Sequence, residues 1–251
     1  MLTISVCNAK GGVGKTSVTA NFAYELQRRG LKVVMIDLDR QADLTKIYLP
    51  TDNSNATILD LLQHKKTTEE VLVSITENLS LIPGSQDIDT FSFRYSKQVL
   101  NRYLKELPAD TDIVFMDHPP ALNSVTASAF AASDEVLIVS DCEPFSMQNL
   151  NYLLRDLEAI QANGHPNLHI LGILINRVDL RRKLSKRMLA AYRHTFGDVV
   201  FNSYISNDTA IPNSIDRKIP LRQLNWQSRT IKQINCIIDE ILKRLGWNGA
   251  E

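Results

Sequence analysis

Residues 9–16 read Ala-Lys-Gly-Gly-Val-Gly-Lys-Thr, followed by Ser17. The chemistry this run suits is the cradling of a polyphosphate. Gly11, Gly12 and Gly14, with Val13 between them, let successive backbone N–H groups turn toward phosphate oxygens, because no Cβ obstructs them. A helix opening at this point adds the positive end of its dipole. Lys15 can reach the β- and γ-phosphates as a point charge, and the Thr16 hydroxyl can ligate Mg²⁺. The expected ligands are therefore ATP and Mg²⁺. The run departs from the general G-x-x-x-x-G-K-[ST] form: Ala9 stands at the first glycine position, and an additional lysine, Lys10, precedes the glycines.

A Mg·ATP site also needs carboxylates at neighbouring strand ends. Asp117 closes the apolar run Asp-Ile-Val-Phe-Met-Asp, where a carboxylate holds Mg²⁺ directly or through water. Asp37 closes another apolar run, and Asp39 follows two residues later. Residues two apart on an extended segment point the same way. Both acids are thus expected to face the nucleotide, one organising the metal and the other positioning the attacking water. The candidate metal ligands are Thr16, Asp37 and Asp117, and the candidate catalytic residues are Lys10, Lys15 and Asp39.

The elements that must position these groups alternate along the chain. Strands are expected over 2–7, 32–37, 79–82, 112–117, 135–139 and 170–175, and helices over 14–29, 96–107, 146–162 and 184–195. Runs such as Val-Val-Met-Ile and Ile-Val-Phe-Met are apolar on both faces, as in a parallel sheet covered by helices on each side. The expected fold is a doubly wound, mostly parallel α/β sheet, with ligands at the carboxyl ends of its strands. Residues 49–56 read as a surface loop. Ile231, Ile234, Ile238, Ile241, Leu242 and Leu245 repeat near the helical period, so a long amphipathic helix is expected over 226–245.

The 251 residues fit one α/β domain spanning 1–251. Lys plus Arg number 28, as do Asp plus Glu, so a polyanionic partner has to be argued from local clustering. Cys7, Cys142 and Cys236 form no C-x-x-C pair, which argues against a disulfide framework or a metal–thiolate set. There is no signal-peptide pattern and no apolar run of membrane-spanning length, so a cytoplasmic location is expected.

Three segments together resemble the ParA/MinD superfamily of deviant Walker A P-loop ATPases. They are Lys10 to Thr16, Val-Val-Met-Ile-Asp37-Leu-Asp39, and Ile-Val-Phe-Met-Asp117-His-Pro-Pro. Weaker similarity at Asn176-Arg177 and around Pro212 extends the resemblance over nearly the whole chain. It implies that Lys10 crosses to the ATP of a second subunit in a nucleotide-sandwich homodimer. It implies that Asp39 supports hydrolysis, and that Asn176 reads the adenine with Arg177 and Pro212 nearby. Arg40, Asp43 and His118 depart from the family's usual residues, but none of the three removes a phosphate or metal ligand.

The segment 177–193 carries seven cations against Asp179 alone. Arg181, Arg182, Lys183, Lys186 and Arg187, with a smaller cluster at Arg217, Lys218 and Arg222, are expected to bind DNA phosphates without reading sequence. The resemblance then implies a nucleoid-associated partition ATPase that works with a ParB-like adaptor. The alternative is a MinD-like positioning ATPase that uses the C-terminal amphipathic helix on a membrane.

Overall fold

The computed structural model describes residues 1–49, 56–91, 99–120, 123–163 and 165–247. The strands are β1 (Leu2–Cys7), β2 (Val33–Asp37), β3 (Val73–Thr76), β4 (Leu79–Ile82), β5 (Ile113–Asp117), β6 (Glu135–Asp141) and β7 (His169–Asn176). The first five helices are α1 (Lys15–Arg28), α2 (Asp43–Tyr48), α3 (Ile58–Leu62), α4 (Thr68–Val71) and α5 (Val99–Leu104). They are followed by α6 (Ser124–Ala131), α7 (Pro144–Ala162), α8 (Lys183–Phe196), α9 (Ala210–Asp216), α10 (Leu221–Leu224) and α11 (Arg229–Arg244). Most of the loop expected over 49–56, and the start of the helix expected over 96–107, lie outside the described residues.

The strands form one sheet in the order β3-β4-β2-β5-β1-β6-β7. All pairings are parallel except β3 with β4. The alternation of side chains explains why the central runs are apolar throughout. Val33 and Met35 of β2 enter the core beneath α1 and α11, while Val34 and Ile36 enter the core on the opposite face. Ile113 and Phe115 of β5 divide from Val114 and Met116 in the same way. The direction of winding reverses around β1, which pairs with β5 on one side and β6 on the other. Ligand crevices open at the carboxyl end of such a switch point, and there the chain places the glycine-rich run.

The helices α2, α3, α4, α6, α9 and α10 add to the expected elements, and two more elements differ from the sequence expectation. The edge strand β3 alternates Val-Ser-Ile-Thr and turns through Glu77 and Asn78 into β4, a short hairpin signal masked by the helical pattern just before it. The amphipathic segment begins at Arg229, so Trp226 lies outside α11 and is 66% exposed. Ile231, Ile234, Ile237, Ile238 and Ile241 are each at most 2% exposed, and Trp247 also packs on that core. The apolar stripe on which the membrane alternative rests is therefore occupied by the protein's own core. No described helix is long and apolar enough to cross a membrane.

Candidate nucleotide-binding site

The glycine-rich run links β1 to α1. Gly12 and Gly14 both have left-handed backbones, with φ of 74° and 98°. Gly14 is the N-cap of α1, and neither a side-chain cap nor an acidic first-turn residue serves that helix. The N–H groups at the start of this 14-residue helix are therefore left for a ligand, and an anion suits them best. The loop is pinned from both sides. Asn8 Nδ2 donates to the Val139 carbonyl at 2.7 Å, and its Oδ1 accepts from Lys10 N at 2.8 Å. From β7, Asn176 Nδ2 donates to the Val13 carbonyl at 2.7 Å, and Asn176 Oδ1 accepts from Arg177 N at 2.9 Å. Asn176 thus holds the loop as well as facing the cavity beside it, which leaves one N–H and part of its oxygen for a base.

Lys15 opens α1 and is 6% exposed. Burial lowers the pKa of its ammonium, while the charges of Asp117 and Asp39 oppose that shift. Asp117 ends β5 fully buried, and its Oδ2 has no hydrogen-bond partner among the described residues. Thr19 Oγ1 donates to its Oδ1 at 3.4 Å. Burial, and after it the charge of Asp37, raises the Asp117 carboxyl well above the usual carboxylate range, against the Thr16 hydroxyl and Lys15. An unpartnered buried carboxylate oxygen beside a threonine hydroxyl fits Mg²⁺ or its bound water, because Mg²⁺ is typically held by one or two protein oxygens plus substrate phosphates.

Asp37 has another duty. Its register partner across the sheet is Asp117, but its Oδ2 accepts from Thr45 N at 2.9 Å and Thr45 Oγ1 at 2.7 Å. Its Oδ1 accepts from Asp39 N at 3.2 Å. Burial outweighs these bonds and pushes its carboxyl up to about 6. Gly84 lies so close that an added Cβ would sit 2.8 Å from Asp37 Cγ. Asp37 is thus the tie that fastens the 38–45 segment to the sheet. The strand ends at Asp37, and Asp39 follows two residues on, half-buried, with its Oδ1 accepting from Gln41 N at 2.9 Å and its charge acting on both Lys15 and Asp117.

Lys10 is held within its own chain. Its Nζ donates to Asp141 Oδ2 at 2.7 Å and to Ser146 Oγ at 3.1 Å, and Ser146 also bonds Asp141. Burial alone would raise the Asp141 carboxyl, but the bonds from Lys10 and Ser146 hold it below the ordinary range. Asp141 was missed at the sequence level although its signal was present: Glu-Val-Leu-Ile-Val-Ser-Asp is a third apolar strand closed by an acid. His118 is buried, with Nε2 2.7 Å from Ser5 Oγ, its ring 4.9 Å from that of Phe130, and Nδ1 without a partner among the described residues. Burial, with Lys15 adding to it, pushes its pKa down to about 3.

The cations expected to meet DNA fall into distinct groups. Lys183, Lys186 and Arg187 are exposed on α8 and make no ion pair with the described residues, and Arg217 is also exposed and unpaired among them. Lys218 is exposed with φ of 55°. Arg181 chelates Asp179 at 2.8 and 2.9 Å, and Arg182 reaches Glu143 at 3.2 Å. Arg222 is an internal group: it grips the 2% exposed Glu25 at 2.5 and 2.6 Å, so its inclusion in a surface cluster is corrected. Cys7, Cys142 and Cys236 are free thiols, the first two buried.

A glycine loop running from a central parallel strand into an uncapped helix, with a buried lysine and a facing strand-end acid, defines a P-loop nucleoside-triphosphatase fold and site. Residues 1–170 match the AAA domain family model, and the chain belongs to the ParA/MinD-type P-loop ATPases of that family. Over 251 residues it is 30% identical to the chromosome-partitioning ATPase Soj of Treponema pallidum, with 97% of this chain and 98% of that protein covered. An ATP complex of a McdA variant from Cyanothece superposes with a TM-score of 0.86 at 22% identity, covering 100% of this chain and 98% of that one. A structure of cobyrinic acid a,c-diamide synthase from Mycobacterium smegmatis, with an ATP analog and magnesium bound, gives 0.85 at 24% identity, covering 98% and 95%. At these identities the two structures carry the fold alone.

Proposed function

We propose that the chain is a Mg²⁺-dependent ATP hydrolase of the ParA type that dimerises on ATP, binds DNA without sequence preference and drives segregation or positioning of a DNA cargo with a ParB-like partner. The observation that carries the nucleotide half is the uncapped N-terminus of α1, opened by the buried Lys15, with Asp117 Oδ2 buried beside it and unpartnered among the described residues. Gly11, Gly12, Val13, Gly14, Lys15, Thr16 and Ser17 would cradle the triphosphate, with Lys10 reaching the ATP of the other subunit, while Asn176, Arg177 and Pro212 line the base side. Mg²⁺ would be held by Thr16 and Asp117, where it supplies charge neutralisation for the phosphates. Asp39 positions the attacking water. Lys10 leaves Asp141 and Ser146 to meet the partner's γ-phosphate, so ATP selects the dimer by its differential affinity for the two states.

The DNA half rests on Lys183, Lys186 and Arg187, whose charges no described acid neutralises. Two copies in one dimer would line their charges along the same duplex. The MinD-like alternative is disfavoured because the apolar face of α11 is packed in the core. The reading is tested by retention of the protein on nonspecific DNA and on anionic vesicles with ATP, ADP or no nucleotide. Retention on DNA with ATP alone supports it. Retention on vesicles that depends on ATP contradicts it.

A further inference from the structure

The cavity beside Asn176 at the carboxyl ends of β6 and β7 has a volume of about 370 Å³, large enough for a nucleoside. Ser17, Asn176 and Pro212 line it, and so do Glu143 and Arg182. Glu143 immediately precedes α7 and Arg182 immediately precedes α8. Their ion pair, Arg182 Nη1 to Glu143 Oε1 at 3.2 Å, therefore spans from one helix start to the other beside the cavity. By charge alone Arg182 groups with its neighbours on α8. By position it does not, since Lys183, Lys186 and Arg187 do not line this cavity and make no ion pair among the described residues.

We propose that Arg182 is a nucleotide-contacting residue whose guanidinium lies against the purine or its ribose, and that DNA is not its ligand. This rests on the nucleotide reading above. A guanidinium is planar, weakly hydrated and rich in donors, so it stacks on an aromatic base and bonds ring nitrogens or sugar oxygens in one placement. Its pair with Glu143 is half-exposed on both sides, at 53% and 45%, and such pairs contribute little on their own. The guanidinium is thus held at the cavity and is easily redirected by an incoming base. Arg182 also begins α8, with its carbonyl accepting from Lys186 N at 3.4 Å, so the base contact lies one residue ahead of the proposed DNA cations.

The test uses the full chain, with Arg182→Ala and Arg182→Lys as variants. The readouts are affinity for fluorescent ATP and ADP, competition by inorganic tripolyphosphate, and DNA retention at saturating ATP. Arg182→Ala is expected to weaken ATP and ADP alike by about 3- to 10-fold, the size of one cation–π contact. Tripolyphosphate, which has no base, should compete as well as it does against the wild type, and DNA retention should be unchanged. Arg182→Lys keeps the charge without the plane and should recover only part of the loss, which separates a base contact from misfolding. Unchanged ATP and ADP affinity overturns the proposal, as does an equal loss for tripolyphosphate, or lost DNA retention with normal nucleotide binding. Failure of the wild type to bind ATP is a different outcome, which removes the nucleotide reading itself.

Discussion

Asn176 Nδ2 donates to the carbonyl of Val13 at 2.7 Å, joining the end of β7 to the phosphate loop across 163 positions of sequence. The contact sits where a side chain at Gly14 would intrude: an ideal Cβ there would lie 2.3 Å from the same Nδ2, and φ at Gly14 is 98°. Gly14→Ala should therefore displace Asn176 and strain the N-cap together, at a cost of about 1–3 kcal/mol for the backbone alone. ATP affinity, measured by fluorescent nucleotide titration, should fall at least about 10-fold. Normal affinity in a folded Gly14→Ala protein would show that the loop does not depend on this contact.

The ion pair of Lys10 with Asp141 places the additional lysine on its own subunit when no second copy is present. Lys10→Ala is expected to keep ATP binding within about threefold, a change of under 1 kcal/mol, while abolishing the ATP-dependent dimer seen by light scattering. Asp39→Ala should do the opposite and accumulate an ATP-bound dimer that does not turn over. A Lys10→Ala protein that dimerises normally with ATP would remove the crossing role.

Charge reversal should separate the cations that the structure sorts. Lys186→Glu with Arg187→Glu touches no ion pair among the described residues and should reduce DNA retention at low salt with melting temperature and ATP affinity unchanged. Arg222→Ala leaves the buried Glu25 carboxylate with Arg28 alone, 3.8 Å away and largely exposed, so the loss should approach but not reach the about 3–5 kcal/mol of a fully broken buried pair. Urea unfolding reads this directly. An Arg222→Ala protein of wild-type stability would mean that Arg28 alone suffices to hold Glu25.

His118 supplies a pH signature. Its pKa in the folded protein is about 3, against about 6.5 in an unfolded chain. Between these values the unfolded imidazole takes up a proton that the folded one refuses. The stability from keeping it neutral is complete above pH 6.5 and is lost as pH falls toward 3, reaching about 5 kcal/mol when the whole shift is expressed. His118→Gln has no such proton, so the gap in melting temperature between wild type and variant should narrow from pH 7 to pH 4. Parallel curves would contradict this.

Much of the fold was legible because the six parallel β-runs are apolar enough to read alone, whereas the half-buried edge strand β3 is not. The phosphate loop was legible because its chemistry depends on contiguous residues. What escaped depends on contacts between distant positions. Nothing local in Arg222 distinguishes it from Arg217, yet one meets Glu25 from α1 and the other meets solvent. Asp37 and Asp117 read alike as strand-end acids, and only Thr45, folding back from α2, commits Asp37 to the loop. The apolar face of α11 read more simply as a core face than as a membrane face, but only the placement of β1, β5 and α1 beneath it decides between the two.

The central claim is that a triphosphate sits on the main-chain amides at the start of α1, neutralised by Lys15 and a metal held at Thr16 and Asp117. Titration calorimetry of the pure protein with ATP in the presence of magnesium addresses it most directly. A saturable heat with one nucleotide per chain, absent in Lys15→Ala, is the expected result. A folded wild-type protein that takes up no ATP would contradict the account.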